Sequence, residues 1–308
     1  MKNQFIKWFL KLALCAAVFV VSDYFFGMSI KTIIRHSNKL NPEADKTYYL
    51  LNEVNTDVII VGASEVEFSY RPDILMDSLG MSVYNCGKNG QRLYYQTVVV
   101  NSIIDRYSPR LIVWSVSPNC LTPHQGDIDK TSSLKPYYHD NIYCREMLQK
   151  RSWCEKYKLL SYFYLYNSEF HSYILNAVKH QSISTYKGYK QIAKTTSYPS
   201  IEEMIYSDLP DELIVAKFSE TVNRLREKEI QTVFVFSPSY SYGDYNDLNS
   251  YILLKKIIDD NRFELIEKYY HYAPLMYDYY FKDKDHLTVK GVEIFTKAIA
   301  HDLKVRVY

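Results

Sequence analysis

Ser64 follows Asp57-Val58-Ile59-Ile60-Val61-Gly62-Ala63, a short apolar run closed by a glycine and an alanine. A serine at the end of a buried strand gains an exposed hydroxyl, and the glycine permits a tight turn there. Near the other end of the chain, Asp283 and His286 stand three apart in a polar turn, Lys282-Asp283-Lys284-Asp285-His286-Leu287-Thr288. That spacing lets a carboxylate hold one imidazole nitrogen while the other faces a nucleophile. General-base activation of a serine hydroxyl needs this arrangement. Read singly, each half is ordinary. Small residues fill strand-end turns for steric reasons, and acids beside a histidine suit capping or solvation.

The elements that must position these groups follow from the apolar pattern. Runs at 57–62, 81–84, 111–116 and 232–236 read as short strands buried on both faces, with a weaker one at 263–266. Helical spacing marks 92–107, 213–227 and 289–303, the last with Thr288 as its cap. Strands alternating with helices predict an α/β fold, a parallel sheet covered on both sides. Functional loops of such sheets lie at the carboxyl ends of the strands. Gly62-Ala63-Ser64, Asn85-Cys86-Gly87, Ser117-Pro118-Asn119 and Ser237-Pro238-Ser239 all fall there. Between about 121 and 210 the strand pattern stops. Helices are expected at 146–166 and 170–179 in an insertion too long for a plain loop, either a lid over the strand ends or a cover for sheet edges.

Taken together, Gly-x-Ser after the first strand, Asn-x-Gly after the second, an Asn turn after the third and Asp-x-x-His-Leu before the last helix resemble the SGNH (GDSL-like) hydrolase superfamily. The resemblance spans roughly 56–120 and 215–308. It implies a three-layer α/β/α sandwich of flavodoxin-like type, with Ser64 as nucleophile, His286 as general base and Asp283 orienting it. Ser64 and Gly87 would lend backbone N–H groups to the oxyanion hole, and Asn119 a side-chain amide. The sequence departs from the family where its Gly-x-Asn-Asp block becomes Ser117-Pro118-Asn119-Cys120, and where Ala63 stands for the usual aspartate. Glu65 and Glu67, flanking the serine, are expected to face solvent or a helix start.

The N-terminus sets the location. Lys2, Lys7 and Lys11 precede an apolar stretch that runs, with Asp23 as its one acid, from residue 12 to 30. About 20 such residues span a bilayer. No small-x-small cleavage site follows, and Leu14 before Cys15 argues against a lipoprotein signal. The expected layout is a cytoplasmic 1–11, a single-pass signal anchor at 12–30, a linker at 31–55 and an SGNH-like body at 56–308 on the extracytoplasmic, periplasmic side. The general look is similar to membrane-anchored SGNH-like proteins of bacterial envelopes.

Lys and Arg number 37 against 35 Asp and Glu, so no long-range field steers nucleic acid to this chain. Neither the five cysteines nor His124, His139, His171, His180 and His271 show metal-ligand spacing, so no metal or other cofactor is expected. Free thiols are expected, since Cys144 and Cys154 in a helix would lie roughly 15 Å apart. The 31 tyrosines suit either a sugar-stacking surface or a compositional bias. Serine acyl chemistry beside a membrane anchor points to an acylated, most simply acetylated, envelope carbohydrate or another small ester, hydrolysed or transacylated. A transferase would need an envelope glycan-synthesis partner to deliver the acyl group. The alternative from another class is a catalytically silent envelope assembly or glycan-binding protein that keeps the shell.

Overall fold

Five of the apolar runs form strands: Val58–Val61 (β1), Val83–Asn85 (β2), Leu111–Val116 (β3), Thr232–Phe236 (β4) and Glu264–Ile266 (β5). In this computed structural model, residues 2–41, 44–124, 126–167, 169–178, 185–192, 199–200, 202–203 and 208–307 are described. All neighbours pair in parallel, in the order β2-β1-β3-β4-β5, with Ile60 opposite both Asn85 and Val113, and Trp114 opposite Phe234. This is the doubly wound order whose direction reverses between β1 and β3, and ligands bind at such a switch. The fold is the expected parallel α/β sheet with helices on both faces.

The period-two alternation of the strands divides the core. Val58, Ile60, Val113, Val233 and Val235 point to one face, packed with Tyr70, Leu75, Val292, Phe295 and Leu303. There the C-terminal helix Val289–Val307 lies on Pro72–Leu79. On the other face Trp114 stacks on Phe234 and meets Phe218 edge-on, 5.7 and 5.3 Å between centroids. Its indole N–H donates to Gln96 at 2.9 Å, so this fully buried ring leaves no polar group unpaired. Helices Leu93–Arg106 and Glu212–Glu227 cover that face. The second begins where the Asp211 carboxylate accepts the Ile214 N–H at 2.9 Å. Thr288 caps the last helix as expected, its hydroxyl accepting from Gly291 at 3.4 Å.

The chain divides into two compact units, one of Met1–Tyr48 with Ser132–Ser182, the other of Tyr49–Thr131 with Ile183–Tyr308. The central part of the insertion therefore groups with the N-terminal helix rather than with the sheet. Its expected helix at 146–166 is three pieces, Ile142–Gln149, Glu155–Lys158 and Tyr162–Tyr166. Two of the pieces start at a side-chain cap. Asn141 caps the first piece by accepting the Cys144 N–H. The third is capped by Asp23 of the N-terminal helix, which accepts from Ser161 Oγ and from the backbone N–H of Tyr162 and Phe163 at 2.7–2.8 Å. The N-terminal helix itself, Lys2–Leu40, is the one described helix long and apolar enough to cross a membrane. Residues 3–22 are exposed throughout, whereas Asp23, Gly27, Ile30, Ile34 and Asn38 form a buried seam. At Gly27 a Cβ would sit 2.2 Å from the Tyr162 ring, so only glycine admits this packing. Within the expected span of 12–30, Asp23, Gly27 and Ile30 are buried, while Tyr24, Phe25 and Met28 stay exposed. All five cysteines are free, with Cys86, Cys120 and Cys144 buried.

Candidate active site

β1 ends at Val61, and after Gly62 and Ala63 the chain enters the short helix Ser64–Ser69. Ser64 is its first residue, so its N–H belongs to the turn whose donors have no intrahelical acceptor. The helix is pinned from below by Asn85 at the end of β2. This fully buried amide donates to Val66 O at 2.7 Å and Tyr70 O at 2.9 Å, and accepts from Gly87 N–H at 2.9 Å. Asn85→Ala orphans three buried groups together. We expect a loss of about 2–4 kcal/mol and a melting temperature lower by roughly 5–10 °C, read by calorimetry. An unchanged melting temperature would refute this account of how the serine helix is held.

At the far end of the chain a two-residue turn joins Phe281–Asp283 (β6) to His286–Leu287 (β7), an antiparallel pair in which Asp283 faces His286. The strand carrying His286 packs on the serine helix. The Asp283 carboxylate lies 2.7 and 2.9 Å from His286 Nδ1 and also accepts the backbone N–H of Asp285 and His286. A carboxylate can only accept, so Nδ1 carries hydrogen and Nε2 is the basic nitrogen. Nε2 is buried without a hydrogen-bond partner. The Phe68 ring meets the imidazole edge-on at 5.6 Å. Burial opposes charge on His286, but the bond and charge of Asp283, aided by Asp285 and Glu65, hold its pKa above the ordinary value. Asp283 is partly desolvated, yet these same bonds hold it below the usual carboxylate range.

Ser64 Oγ makes no hydrogen bond to any described residue, so the Ser64–His286 approach, expected at about 2.6–3.2 Å or modestly longer without a ligand, is not closed to a hydrogen bond. Catalytic hydrogen bonds of this kind often tighten only once substrate is bound. A cavity of about 440 Å³ opens over the carboxyl ends of β1, β3 and β4, at the sheet's switch point. Ser64, Gly90, Asn119 and Asp285 line it, while His286 does not. Asn119 Oδ1 accepts from Ser117 at 3.1 Å, and its Nδ2 has no partner among the described residues.

Gly87 does not take the place expected for it. Its N–H is committed to Asn85, and its Cα packs within a Cβ's clash distance of Val66 and the Glu67 backbone, away from the cavity lining. Gly90 lines the cavity instead. It sits at the third position of a turn closed by Gln91 N–H to Lys88 O, with φ +72°, a conformation that favours glycine.

Chains with some likeness to this one are distant. Neither a protein-family model nor a curated protein matches. Among solved structures, a protein from Bacteroides fragilis described as an acylhydrolase is similar at 14% identity, covering 82% of this chain and 88% of that one, with a TM-score of 0.40. An acetyl xylan esterase (13%, 82% and 99%, 0.42) and a protein from Desulfitobacterium hafniense described as a lipolytic protein of the G-D-S-L family (11%, 82% and 100%, 0.42) stand alongside it. The chemistry rests on the geometry of the site.

Glu65 is the residue that sequence reasoning misplaced. It turns inward rather than to solvent, its carboxylate accepting the Ala63 N–H at 2.9 Å and bonding Ser115. Ser115 Oγ meets Ser237 Oγ, which meets the Tyr70 hydroxyl, each at 2.8 Å. A buried polar chain thus runs beneath the serine turn, from the end of β1 across β3 to β4. Burial raises the pKa of Glu65 above the carboxylate range and that of Tyr70 far above the phenol range. The only sequence signal was position: Glu65 lies in the first turn of a helix that follows a buried strand. Arg92 also lines the cavity, bonding Asp127 at 2.8 Å and the carbonyls of Thr122 and Asn119, which fixes the loop that carries Asn119. Burial and Arg92 push His124 below its usual pKa. Cys120 is pushed up to about 11 by burial, so it stays a thiol rather than a reactive thiolate.

Proposed function

We propose that this chain is a serine esterase or O-acyltransferase acting on acyl esters through an acyl-serine intermediate. The observation that carries the reading is the Asp283–His286 pair. Its basic Nε2 is buried and unpartnered, on a strand packed against the helix that Ser64 begins. In the proposed reaction His286 Nε2 takes the Ser64 proton as Oγ attacks the acyl carbon. The resulting oxyanion is held by the Ser64 N–H, the Gly90 N–H in place of Gly87, and the Asn119 amide. Collapse expels the alkoxide, which receives the proton back from His286. Water or a second hydroxyl then takes the acyl group by the same steps in reverse order.

An acetylated envelope carbohydrate is the proposed substrate, and the N-terminal helix the proposed anchor, with the sheet unit on the extracytoplasmic side. The unburied stretch from Lys7 to residue 22, about 24 Å of helix, forms the span in this reading, rather than 12–30.

Labelling by a fluorophosphonate, together with release of acetate from 4-nitrophenyl acetate and from acetylated oligosaccharides, tests the reading. Absence of both would sink it. One observation favours the silent binding-protein alternative, namely the unmade Ser64–His286 bond, and that outcome would give it first place. If turnover is found, Asn119→Ala should lower kcat by ~10–10³-fold with KM little changed. A rise in KM with kcat unchanged would remove Asn119 from the oxyanion hole.

A further inference from the structure

Beside the N-terminal helix, large apolar side chains stand exposed on one short stretch. Trp153 is 86% exposed, Tyr157 60%, Leu160 66% and Phe163 38%. The first three are spaced i, i+4 and i+7, which places them on one face of the turns around Glu155–Lys158. Soluble surfaces scatter such residues singly. Here Phe163 adjoins the exposed apolar part of the N-terminal helix. Phe163 stacks on Phe26 at 4.6 Å between centroids and reaches Phe19 at 5.8 Å, a residue inside the exposed apolar stretch.

Asp23 fixes the level of this turn. Its three hydrogen bonds to residues 161–163 satisfy the carboxylate within the protein, as an acid must be satisfied where water is scarce. Lys7 and Asp23 stand about 24 Å apart along the helix axis at 1.5 Å per residue, less than the roughly 30 Å of a hydrocarbon core. With Lys7 at the cytoplasmic boundary, Asp23 and the turn that bonds it come to the opposite boundary or just inside it. Lys156, over the Tyr157 ring at 4.9 Å, puts a cation beside the aromatic edge, as at headgroup level.

We propose that Trp153, Tyr157, Leu160 and Phe163 insert into the headgroup–acyl boundary of the bilayer that the N-terminal helix crosses, forming a second membrane contact. This rests on reading that helix as a span. It sets how deep the helix sits and prevents it from sliding or tilting freely, since the Asp23 capping bonds tie the two contacts into one rigid corner.

The full chain contains Trp8, Trp114 and Trp153, and fully buried Trp114 serves as a constant background. The Trp8→Phe and Trp153→Phe chains are each reconstituted into phosphatidylcholine–phosphatidylglycerol vesicles. The acyl chains carry bromine either near the headgroup end or near the methyl end. In the Trp8→Phe chain, which reports on Trp153, bromine near the headgroup should quench roughly a third of the emission and bromine near the methyl end much less. The Trp153→Phe chain reports on the helix through Trp8. Quenching of Trp8 without quenching of Trp153 would leave the span standing and overturn the second contact. Quenching of neither would overturn both. Because Trp153 is so exposed, its replacement by phenylalanine leaves the fold intact.

Discussion

Ser64→Ala is expected to reduce ester turnover by at least ~10³-fold and to abolish fluorophosphonate labelling. The melting temperature should stay within about 2 °C. The two halves of this expectation come from different facts. Ser64 Oγ bonds to no described residue, and no Ser64 bond appears among those that hold the helix, so stability gains nothing from the hydroxyl. In the proposed reaction its whole value lies in attacking carbon. The oxyanion donors and the cavity remain in the variant, so a residual rate above the uncatalysed one is consistent with the scheme. Retained turnover near the wild-type level would exclude an acyl-Ser64 intermediate. A loss of activity accompanied by a large fall in melting temperature would instead make Ser64 a structural residue. Lys88→Ala, outside the cavity lining, is the companion variant, expected to keep activity within a few-fold.

Much of this arrangement was legible because its signals are periodic or terminal. Four strands, three long helices and the Thr288 cap follow from short continuous apolar runs, helical spacing and a hydroxyl before a helix. The Asp283–His286 contact was legible for a similar reason. Three residues across a turn leave little freedom, and β6 and β7 place the pair face to face. What escaped was decided by side-chain direction and by long-range partners. Glu65 could have pointed either way from the first turn of its helix; Ser115, fifty positions later, receives it. Gly87 and Gly90 are indistinguishable by composition. Only the commitment of Asn85 Oδ1 to the Gly87 N–H moves the open donor three residues on. The insertion is the clearest instance. Its helices were visible, but its partner was not, because the seam that receives it is written in the N-terminal helix as Asp23, Gly27, Ile30 and Ile34, inside a pattern that reads as lipid-facing. An acid and a glycine in an apolar run look like tolerated flaws until their partners, Ser161 and Tyr162, are in view.

Asp283→Asn should cost on the order of 10²–10⁴-fold in kcat and move the pH dependence to lower values. In the proposed reaction His286 works as a base, so the rate rises with pH as the imidazole loses its proton. Although burial works against the imidazolium, Asp283 raises the His286 pKa, and the wild-type inflection in kcat/KM therefore lies above the ordinary histidine value near 6.5. With the carboxylate charge gone, only the charges of Asp285 and Glu65 oppose burial, and the inflection falls below that of the wild type. The amide also presents an N–H to Nδ1, favouring the tautomer with hydrogen on Nε2, which removes the base itself. The stability signs follow separately. A raised histidine pKa contributes stability that is full below the unfolded value and is lost as pH rises through the folded one. A lowered aspartate pKa contributes stability present above about 4 and lost as pH falls through its folded value. The pair therefore stabilises most between these limits. With Asp283 half exposed, the contribution stays under about 1 kcal/mol, so the variant should melt within a few degrees of the wild type at neutral pH. The scheme predicts a large kinetic loss, a downward-shifted inflection and a small stability change together. An inflection that does not move would show that Asp283 does not set the basicity of His286, whatever happened to the rate. Asp285→Asn is the control. Its charge acts on His286 only through space, so it should lower the inflection less and leave kcat within about tenfold.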